Sequence, residues 1–222
     1  DGLSYPVSAD DENDHWDSLI LFESRATQVD QSFRLTPANS AEVKKICHLI
    51  DGHPLAIELA ASTVSKRSCV EIAAEISKDY AALAPTLRNF PPRHRSMRAV
   101  FEHSWKLLSE AEQECLTQLS VFAGSWSKLA ANEVAGAELE ILCQLVDKSL
   151  VRRSAEGRFS LHENIRQFAA EKLQNTYAVQ EAHCRYYSKF SRQSKDTSMA
   201  LSMLQFERAN LRVAWEWALK YQ

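Results

Sequence analysis

Apolar residues recur at helical spacing along most of this chain. The periodicity begins at about Trp16, and Thr36-Pro37 supplies the cap residue and first-turn proline of a second predicted helix. Four apolar residues of that helix fall at i, i+3, i+4 and i+7, namely Val43, Ile46, Cys47 and Ile50. The pattern therefore predicts amphipathic helices, each with one face toward a core.

A sharp break follows at Asp51-Gly52-His53-Pro54. Gly52 suits the end of one helix, and Pro54 suits the first turn of the next, which we predict to continue to Val64. Further helices are predicted over residues 69–83 and 96–108. The run Pro91-Pro92-Arg93-His94-Arg95 between them contains two breakers, and we predict a domain boundary there.

The second half of the chain combines helices with one predicted hairpin. Ser109 and Glu112 have the spacing of a capping box, and two short helices are predicted over residues 127–134 and 138–148. Residues 150–153 and 158–161 are strand candidates joined by a turn at Glu156-Gly157. Helices followed by a single hairpin are typical of a winged helix.

Three more helices are predicted after the hairpin, over residues 162–173, 178–190 and 203–219, and the last two form a helical hairpin of the kind found in superhelical repeat arrays. The predicted fold class is mainly α: a helical bundle, then a winged-helix domain with one small β-hairpin, then a C-terminal helical hairpin. We divide the chain at residues 1–15, 16–92, 93–174 and 175–222. The first of these segments is acidic and polar, which predicts a loop.

Composition excludes several classes of protein. With 45% hydrophobic and 25% charged residues, the 222 residues are those of a soluble globular chain, and the net charge of −3 predicts no nucleic-acid or membrane partner. No stretch approaches the roughly 18 apolar residues of a spanning helix. Five cysteines, odd in number and set in apolar patterns, argue against a disulfide framework. We expect buried thiols and a cytoplasmic location.

Motifs of catalysis are missing from the sequence. The five glycines cannot form a GxxxxGK[ST] phosphate-binding loop in any register. The seven histidines provide no HExxH pair, and no Cys and His spacing matches a zinc site. GxSxG is also absent. We therefore predict no catalytic or metal-binding residue, and we expect that the chain is an internal piece of a longer protein and not itself an enzyme.

Five stretches, in the same order, resemble successive blocks of the NB-ARC-related STAND signalling ATPases, including bacterial LuxR-like regulators. DGHPLAIELAA (residues 51–61) resembles the GLPL motif, and FSLHENIRQFA (159–169) occupies the place of the MHD motif. ERANLRVAWEWAL (207–219) is similar to the entry into a superhelical sensor region. The remaining two blocks are LSVFAG (119–124) and LVDKSLV (145–151).

The resemblance implies a fold and a nucleotide site. Residues 1–15 would be a linker or the tail of a missing nucleotide-binding domain, 16–92 an ARC1-like helical domain, 93–174 the winged helix and 175–222 the start of a TPR-like region. Pro54 would pack on adenine and His162 would reach the β-phosphate of ADP; the predicted nucleotide-binding residues are Gly52, Pro54, Leu55 and His162. Leu161 and Glu163 replace the Met and Asp of MHD, and His53 replaces a small apolar residue.

The function that the resemblance implies is that of a regulatory lid. ADP or ATP would be held with an upstream P-loop domain in cis, the isolated chain would bind neither tightly, and the C-terminal helices would sense an unknown ligand or protein. Residue chemistry alone leaves simpler readings open: the Gly52 corner as an ordinary helical turn, and His162 as a cap of the following helix.

Two other functions remain as alternatives. A winged helix can read DNA, but the third helix would carry Glu138, Glu140 and Asp147 against a single Lys148, so we expect no direct nucleic-acid contact. Arg152, Arg153 and Arg158 make the wing alone basic. The third hypothesis is a helical scaffold that binds protein through the aromatic residues Tyr186, Tyr187, Trp215 and Trp217, although aromatic residues at such spacing more often belong to a core.

Overall fold

The computed structural model describes residues 3–6, 15–83, 92–193 and 198–221, and helices dominate these ranges. The first helices are α1 (Asp17–Val29), α2 (Ser40–Leu49), α3 (Pro54–Ala61), α4 (Cys69–Leu83), α5 (Pro92–Lys106) and α6 (Glu110–Leu119). The later ones are α7 (Lys128–Ala135), α8 (Leu139–Asp147), α9 (Glu163–Lys172), α10 (Thr176–Gln193) and α11 (Ser198–Tyr221). Three short strands complete the described structure: β1 (Ser125–Trp126), β2 (Arg152–Arg153) and β3 (Phe159–Ser160). The predicted mainly α class is confirmed.

The chain forms two compact units. Unit 1 comprises Asp1–Leu108 together with Asp147–Ser149, and unit 2 comprises Ser109–Val146 and Leu150–Gln222. The boundary predicted near residue 93 separates no compact units, because α5 packs against α3 and α4 and so belongs to unit 1. Pro91 lies outside the described residues, as does most of the predicted linker 1–15. The domain types assigned from the resemblance stay predictions.

Helix α3 lies at the centre of unit 1. It contacts α1, α2 and α5, and six of its eight residues are buried: Leu55, Ala56, Ile57, Leu59, Ala60 and Ala61. A helix that is apolar on nearly every side has to be enclosed by neighbours, and its three alanines let those neighbours approach closely. Phe22 of α1 and Ile46 of α2, two of the helices that contact α3, are fully buried as well.

The tripeptide Asp147–Ser149 is held within unit 1 by polar contacts. Arg25 donates from Nε to Ser149 Oγ at 2.8 Å and from Nη2 to the carbonyl oxygen of Asp147 at 3.2 Å. Ser62 Oγ donates to the carbonyl oxygen of Lys148 at 3.3 Å. Ser149 has a φ of +59°, a conformation that is strained for serine. Contacts from α1 and from the end of α3 therefore hold a backbone shape that the local sequence does not favour.

Unit 2 contains a sheet with strand order β1–β3–β2, in which both pairs are antiparallel. Phe159 of β3 lies opposite Trp126 of β1, and both side chains are buried. The Trp126 ring stacks on that of Phe122, with 4.9 Å between the ring centroids. The hairpin predicted between β2 and β3 is present. Strand β1 was not predicted, because two residues are too few to show the alternation that marks a strand.

Most predicted helices are present, and the differences lie at their ends. The capping box is confirmed: Ser109 Oγ accepts from the Glu112 N–H, and Glu112 Oε2 accepts from the Ser109 N–H at 2.7 Å. Helix α2 begins at Ser40 and not at Pro37, because Asn39 Oδ1 accepts from the Thr36 N–H at 2.8 Å and closes a turn first. Helix α10 and helix α11 form the predicted C-terminal pair.

Candidate functional site

The GLPL-like stretch forms a tight corner between α2 and α3. Asp51 and Gly52 both have positive φ, +52° and +61°, and the Gly52 N–H donates to the Cys47 carbonyl at 3.0 Å. Left-handed backbone costs a glycine little, and an aspartate less than most residues. Pro54 then occupies the first turn of α3, as predicted. The corner is thus fixed by its own sequence.

An extended segment, residues 3–6, lies against this corner. The Leu3 N–H donates to the Gly52 carbonyl oxygen at 3.0 Å. A Cβ placed on Gly52 would come within 2.6 Å of both the Leu3 carbonyl oxygen and Tyr5 Cδ1. At the other side, Ser4 Oγ donates to the Asp17 carboxylate at 2.7 Å, at the start of α1. Packing therefore requires glycine at position 52 independently of the positive φ.

The other two predicted residues of the corner have different exposures. Pro54 is partly exposed, whereas the Leu55 side chain is buried in the core of unit 1. The Asp51 carboxylate accepts a hydrogen bond from Ser96 Oγ at 2.9 Å and so ties the corner to α5. Nucleotide binding by Gly52, Pro54 and Leu55 stays a prediction.

His162 is the N-cap of α9. Its Nδ1 accepts a hydrogen bond from the Asn164 N–H at 3.2 Å. Because Nδ1 is an acceptor here, a neutral imidazole carries its proton on Nε2. The geometry therefore shows His162 as a helix cap, as residue chemistry alone allowed. A hydrogen bond from this ring to a phosphate oxygen would have to come from Nε2.

Glu163, which replaces the Asp of the MHD motif, is held by Arg166. Arg166 donates from Nε and Nη2 to the two carboxylate oxygens at 2.8 and 2.7 Å, and Gln167 donates to the same group at 2.8 Å. The Arg166 hydrogen bonds lower the pKa of Glu163 to about 2. The carboxylate is therefore ionised at neutral pH, and these hydrogen bonds join it to residues of its own helix, α9.

The predicted nucleotide residues are divided between the units: Gly52, Pro54 and Leu55 lie in unit 1 and His162 in unit 2.

No described group of three or more His, Cys, Asp or Glu residues could hold a metal ion. The five cysteines are free thiols, and all of them except the partly exposed Cys143 are buried as predicted. Burial raises the pKa of Cys47 and Cys115 to about 12. No helix in the described ranges is long and apolar enough to cross a membrane.

Sequence reasoning missed a buried polar network in unit 2, which we call the Glu207 cluster. Its members are the side chains of Glu207, Arg158, Tyr187 and Asn210 together with Ser125. Arg158 Nη2 donates to Glu207 Oε1 at 2.6 Å and to the Ser125 carbonyl oxygen at 3.0 Å. Tyr187 Oη donates to Glu207 Oε2 at 2.9 Å. Both carboxylate oxygens of a residue that is only 5% exposed are therefore hydrogen-bonded.

Asn210 extends this cluster toward β1. Its Nδ2 donates to the Ser125 carbonyl oxygen at 2.9 Å, and its Oδ1 accepts from the Ala123 N–H at 2.7 Å. Burial, followed by the charge of Glu207, raises the pKa of Tyr187, which keeps its hydroxyl proton on the oxygen. The result is a set of contacts that joins the sheet to α10 and α11.

His183 connects the cluster with a group of aromatic rings. Its Nε2 lies 3.5 Å from Asn210 Oδ1, and its ring centroid lies 4.6 Å from that of Tyr187 and 5.3 Å from that of Phe122. Burial lowers the pKa of His183 to about 4, although the contact with Asn210 acts in the opposite direction. The ring is therefore neutral at pH 7, and Nε2 carries the proton because Asn210 Oδ1 can only accept.

The sequence held a signal for this cluster. Glu207 and Asn210 stand at i and i+3, so they share one face of α11 with the buried Ala214 and Trp217. A carboxylate on an otherwise apolar face needs a cation, and Arg158 supplies it. Of the three arginines assigned to a basic wing, Arg152 and Arg153 are exposed, whereas Arg158 is turned inward.

Comparison with known proteins places these features in context. The "Putative HTH-type transcriptional regulator Rv0890c" of Mycobacterium tuberculosis is 33% identical in an alignment of 219 positions that covers 91% of this chain and 25% of that protein. A counterpart in Mycobacterium bovis matches equally well. "Uncharacterized protein Rv0894" of M. tuberculosis is 32% identical in an alignment of 181 positions that covers 77% of this chain and 46% of that protein. The chain thus spans from a quarter to a half of the curated relatives that it matches.

A solved structure shares the fold. The signal transduction ATPase with numerous domains (STAND) protein with a tetratricopeptide repeat sensor, PH0952, from Pyrococcus horikoshii superimposes with a TM-score of 0.55 at 20% identity, over 90% of this chain and 24% of that protein. No family model matches the chain. The chain therefore has the fold of part of a STAND protein, and the resemblance predicted from its motifs is confirmed.

The Gly52 corner predicts a large cost for any side chain. Gly52→Ala is expected to lower the free energy of unfolding by about 2 kcal/mol or more, because the new Cβ meets backbone as well as strained φ. Gly136→Ala is the matched control, since its φ of +57° is similar and nothing lies within 4 Å of the added Cβ. Gly136→Ala should lower the free energy of unfolding by about 1 kcal/mol, and urea denaturation measures this free energy for both variants. Equal losses would show that the segment 3–6 does not restrict position 52.

The Glu207 cluster predicts that Arg158 is far more important for stability than an exposed arginine. Arg158→Met keeps the aliphatic stem but leaves the buried Glu207 carboxylate without its cation. The free energy of unfolding should therefore fall by about 3 kcal/mol. Arg212→Met, which breaks an exposed pair with Glu216 at 3.7 Å, should change it by less than about 0.5 kcal/mol. Urea denaturation followed by circular dichroism measures both, and similar values for the two variants would contradict the prediction.

His183 predicts a pH dependence of stability. Above its ordinary pKa of 6.5 the ring is neutral in both folded and unfolded chains; below 6.5 the unfolded chain takes up the proton while the folded chain resists it down to about 4. Stability should therefore fall between these two values. His183→Gln removes this contribution, so the melting-temperature advantage of the parent chain should shrink as pH drops from 7 to 4. A difference that is constant with pH would refute this assignment.

Proposed function

We propose that this chain is the regulatory segment of a STAND-type signalling protein, in which it relays the state of a C-terminal sensor to a nucleotide-binding domain. Two findings support a signalling or regulatory role: the fold shared with a STAND protein, and the sequence shared with proteins described as transcriptional regulators. The finer role, as a lid over ADP or ATP, rests on the motif residues Gly52, Pro54, Leu55 and His162.

One observation supports a relay from the C-terminal helices to His162: both are connected to strand β3. Strand β3 has Arg158 directly before it and His162 two residues after it. Arg158 is anchored to Glu207 on α11 and, through that carboxylate, to Tyr187 on α10. A displacement of the C-terminal helix pair therefore acts on one end of β3, and the candidate phosphate contact stands at the other end. Two residues of strand are too short to absorb the displacement by bending.

The proposed clamp uses the Nε2 nitrogen of His162. With Nδ1 engaged by the Asn164 N–H, Nε2–H is the group that would donate to a β-phosphate oxygen. Such a bond exists only in the closed state, so it favours that state by about 1 to 3 kcal/mol. The helix pair would move the equilibrium by shifting β3.

Direct DNA contact by this chain is the weaker proposal. Glu138 and Glu140 are exposed at the start of α8, the helix that would enter the major groove, and they would repel phosphates. Arg158 is also committed to the Glu207 cluster and cannot serve as a wing cation without breaking it. The basic residues left on the wing hairpin are Arg152 and Arg153.

The test of the clamp separates binding from capping. In a longer form that includes the nucleotide-binding domain, His162→Ala should speed ADP release by about 5-fold to 150-fold and raise basal signalling. His162→Asn keeps the N-cap, since asparagine is among the best capping residues, but lacks the reach of the imidazole. Stopped-flow release of a fluorescent ADP measures all three proteins.

The two variants give different outcomes under the two readings. If His162 is a phosphate clamp, both variants release ADP faster, and only the alanine variant loses thermal stability. If His162 serves only as a cap, the asparagine variant behaves like the parent protein in both measurements. Unchanged ADP release in both variants would overturn the proposed role of His162.

A further inference from the structure

Helix α8 ends in a turn that contains a residue the turn does not favour. The N–H groups of Leu150 and Val151 both donate to the Leu145 carbonyl oxygen, at 3.0 and 3.1 Å, and the preceding Ser149 has a φ of +59°. This is the pattern of a helix end whose left-handed residue is usually glycine. The Cβ of a serine makes the same conformation unfavourable. Something outside the turn therefore has to hold Ser149 in place.

The hydroxyl group of Ser149 provides that hold. Ser149 is 7% exposed, and its Oγ accepts a hydrogen bond from Arg25 Nε at 2.8 Å. The same hydroxyl donates to the Glu58 carbonyl oxygen at 3.5 Å. Arg25 belongs to α1 and Glu58 to α3, so two helices of unit 1 stabilise the conformation. Glycine would make the turn without strain, but it could make neither contact.

The Arg25 guanidinium holds the backbone of the turn as well. Its Nη2 donates to the Asp147 carbonyl oxygen at 3.2 Å, and its Nη1 donates to Gln28 Oε1 at 2.6 Å, one turn later in α1. One side chain thus contacts both ends of the tripeptide Asp147–Ser149. Because a guanidinium is planar and rigid, both contacts depend on the same backbone shape and are lost together.

The position of this tripeptide in the chain gives the contacts a consequence. Asp147–Ser149 belongs to unit 1, whereas Val146 before it and Leu150 after it belong to unit 2. Loss of the Arg25 contacts would let Ser149 return to the backbone conformations that serine prefers. The end of α8, a helix of unit 2, would then open.

We propose that Asp147–Ser149 is a latch with a docked and a released state. In the docked state Arg25 holds Ser149 in the left-handed conformation. In the released state these contacts are lost, Ser149 relaxes, and the two hydrogen bonds to the Leu145 carbonyl oxygen open. Strain in the docked state keeps the released state accessible, as suits a switch. Resting on the proposed function, release of the latch is one step in the opening of the regulatory segment.

Hydrogen–deuterium exchange of backbone amides in the 222-residue chain, followed by NMR, tests the latch. Arg25→Met keeps the aliphatic stem and removes the guanidinium, and Ser149→Ala removes the hydroxyl and keeps the strain. Each is expected to speed exchange of the Leu150 and Val151 amides about tenfold or more relative to the buried Leu59 amide of α3. The comparison with Leu59 separates local opening from a general loss of stability. Unchanged relative exchange in either variant would overturn the proposal.

Two further variants test the physical cause. In a Ser149→Gly background, Arg25→Met should change the exchange of Leu150 by less than about twofold, since glycine needs no contact to adopt a positive φ. Arg34→Met is the matched control, because Arg34 is an exposed arginine of unit 1 that donates to carbonyl groups of its own loop. It should leave exchange at Leu150 unchanged. An equal effect of Arg25→Met with serine and with glycine at position 149, or an effect of Arg34→Met as large, would contradict the latch.

These measurements contain no nucleotide, so their outcome is independent of the His162 experiment. In the longer protein with its nucleotide-binding domain, Arg25→Met should speed ADP release about fivefold or more. Faster release in Arg25→Met together with normal release in both His162 variants would keep the latch and remove the clamp. Faster release in the His162 variants together with normal release in Arg25→Met would keep the clamp and overturn the latch as a step of opening.

Discussion

A buried carboxylate that has to be neutralised organises unit 2. Glu207 is almost completely shielded from water, and a carboxylate in such a place is tolerated only when its oxygens are paired with a cation and with hydrogen-bond donors. Arg158 and Tyr187 meet this requirement from β3 and α10. Because each partner has one geometry that satisfies the carboxylate, the sheet and the C-terminal helices are held in one arrangement.

In unit 1 a corresponding constraint is steric. Helix α3 is apolar around nearly its whole circumference, so the chain has to enter it through a turn that keeps neighbouring segments close. The positive φ of Asp51 and Gly52 makes that turn, and the missing side chain of Gly52 admits the segment 3–6. The motif glycine is thus explained by packing alone, before any ligand is considered.

The residues that the family resemblance singled out have structural duties of their own. Gly52 shapes the corner, Pro54 starts α3, Leu55 fills the core, and His162 caps α9. A ligand role for these residues would be added to these duties, which is why the His162→Asn variant is informative: it keeps one duty and removes the other. Glu207 and Asn210 likewise have two roles. They are packed in the core of unit 2, and their hydrogen bonds join α11 to the sheet.

The sequence by itself determined the helices, the capping box at Ser109, the first-turn position of Pro54 and the β2–β3 hairpin, because each depends on residues within a few positions of one another. Only the tertiary structure decided strand β1, the strained Ser149, the assignment of α5 to unit 1 and the Glu207 cluster. These features join residues far apart in the chain: Arg158 and Glu207 are 49 positions apart, and Arg25 and Ser149 are 124 apart. Periodicity reports which face of a helix is buried, but the partner across the core is chosen by the packing of the whole unit.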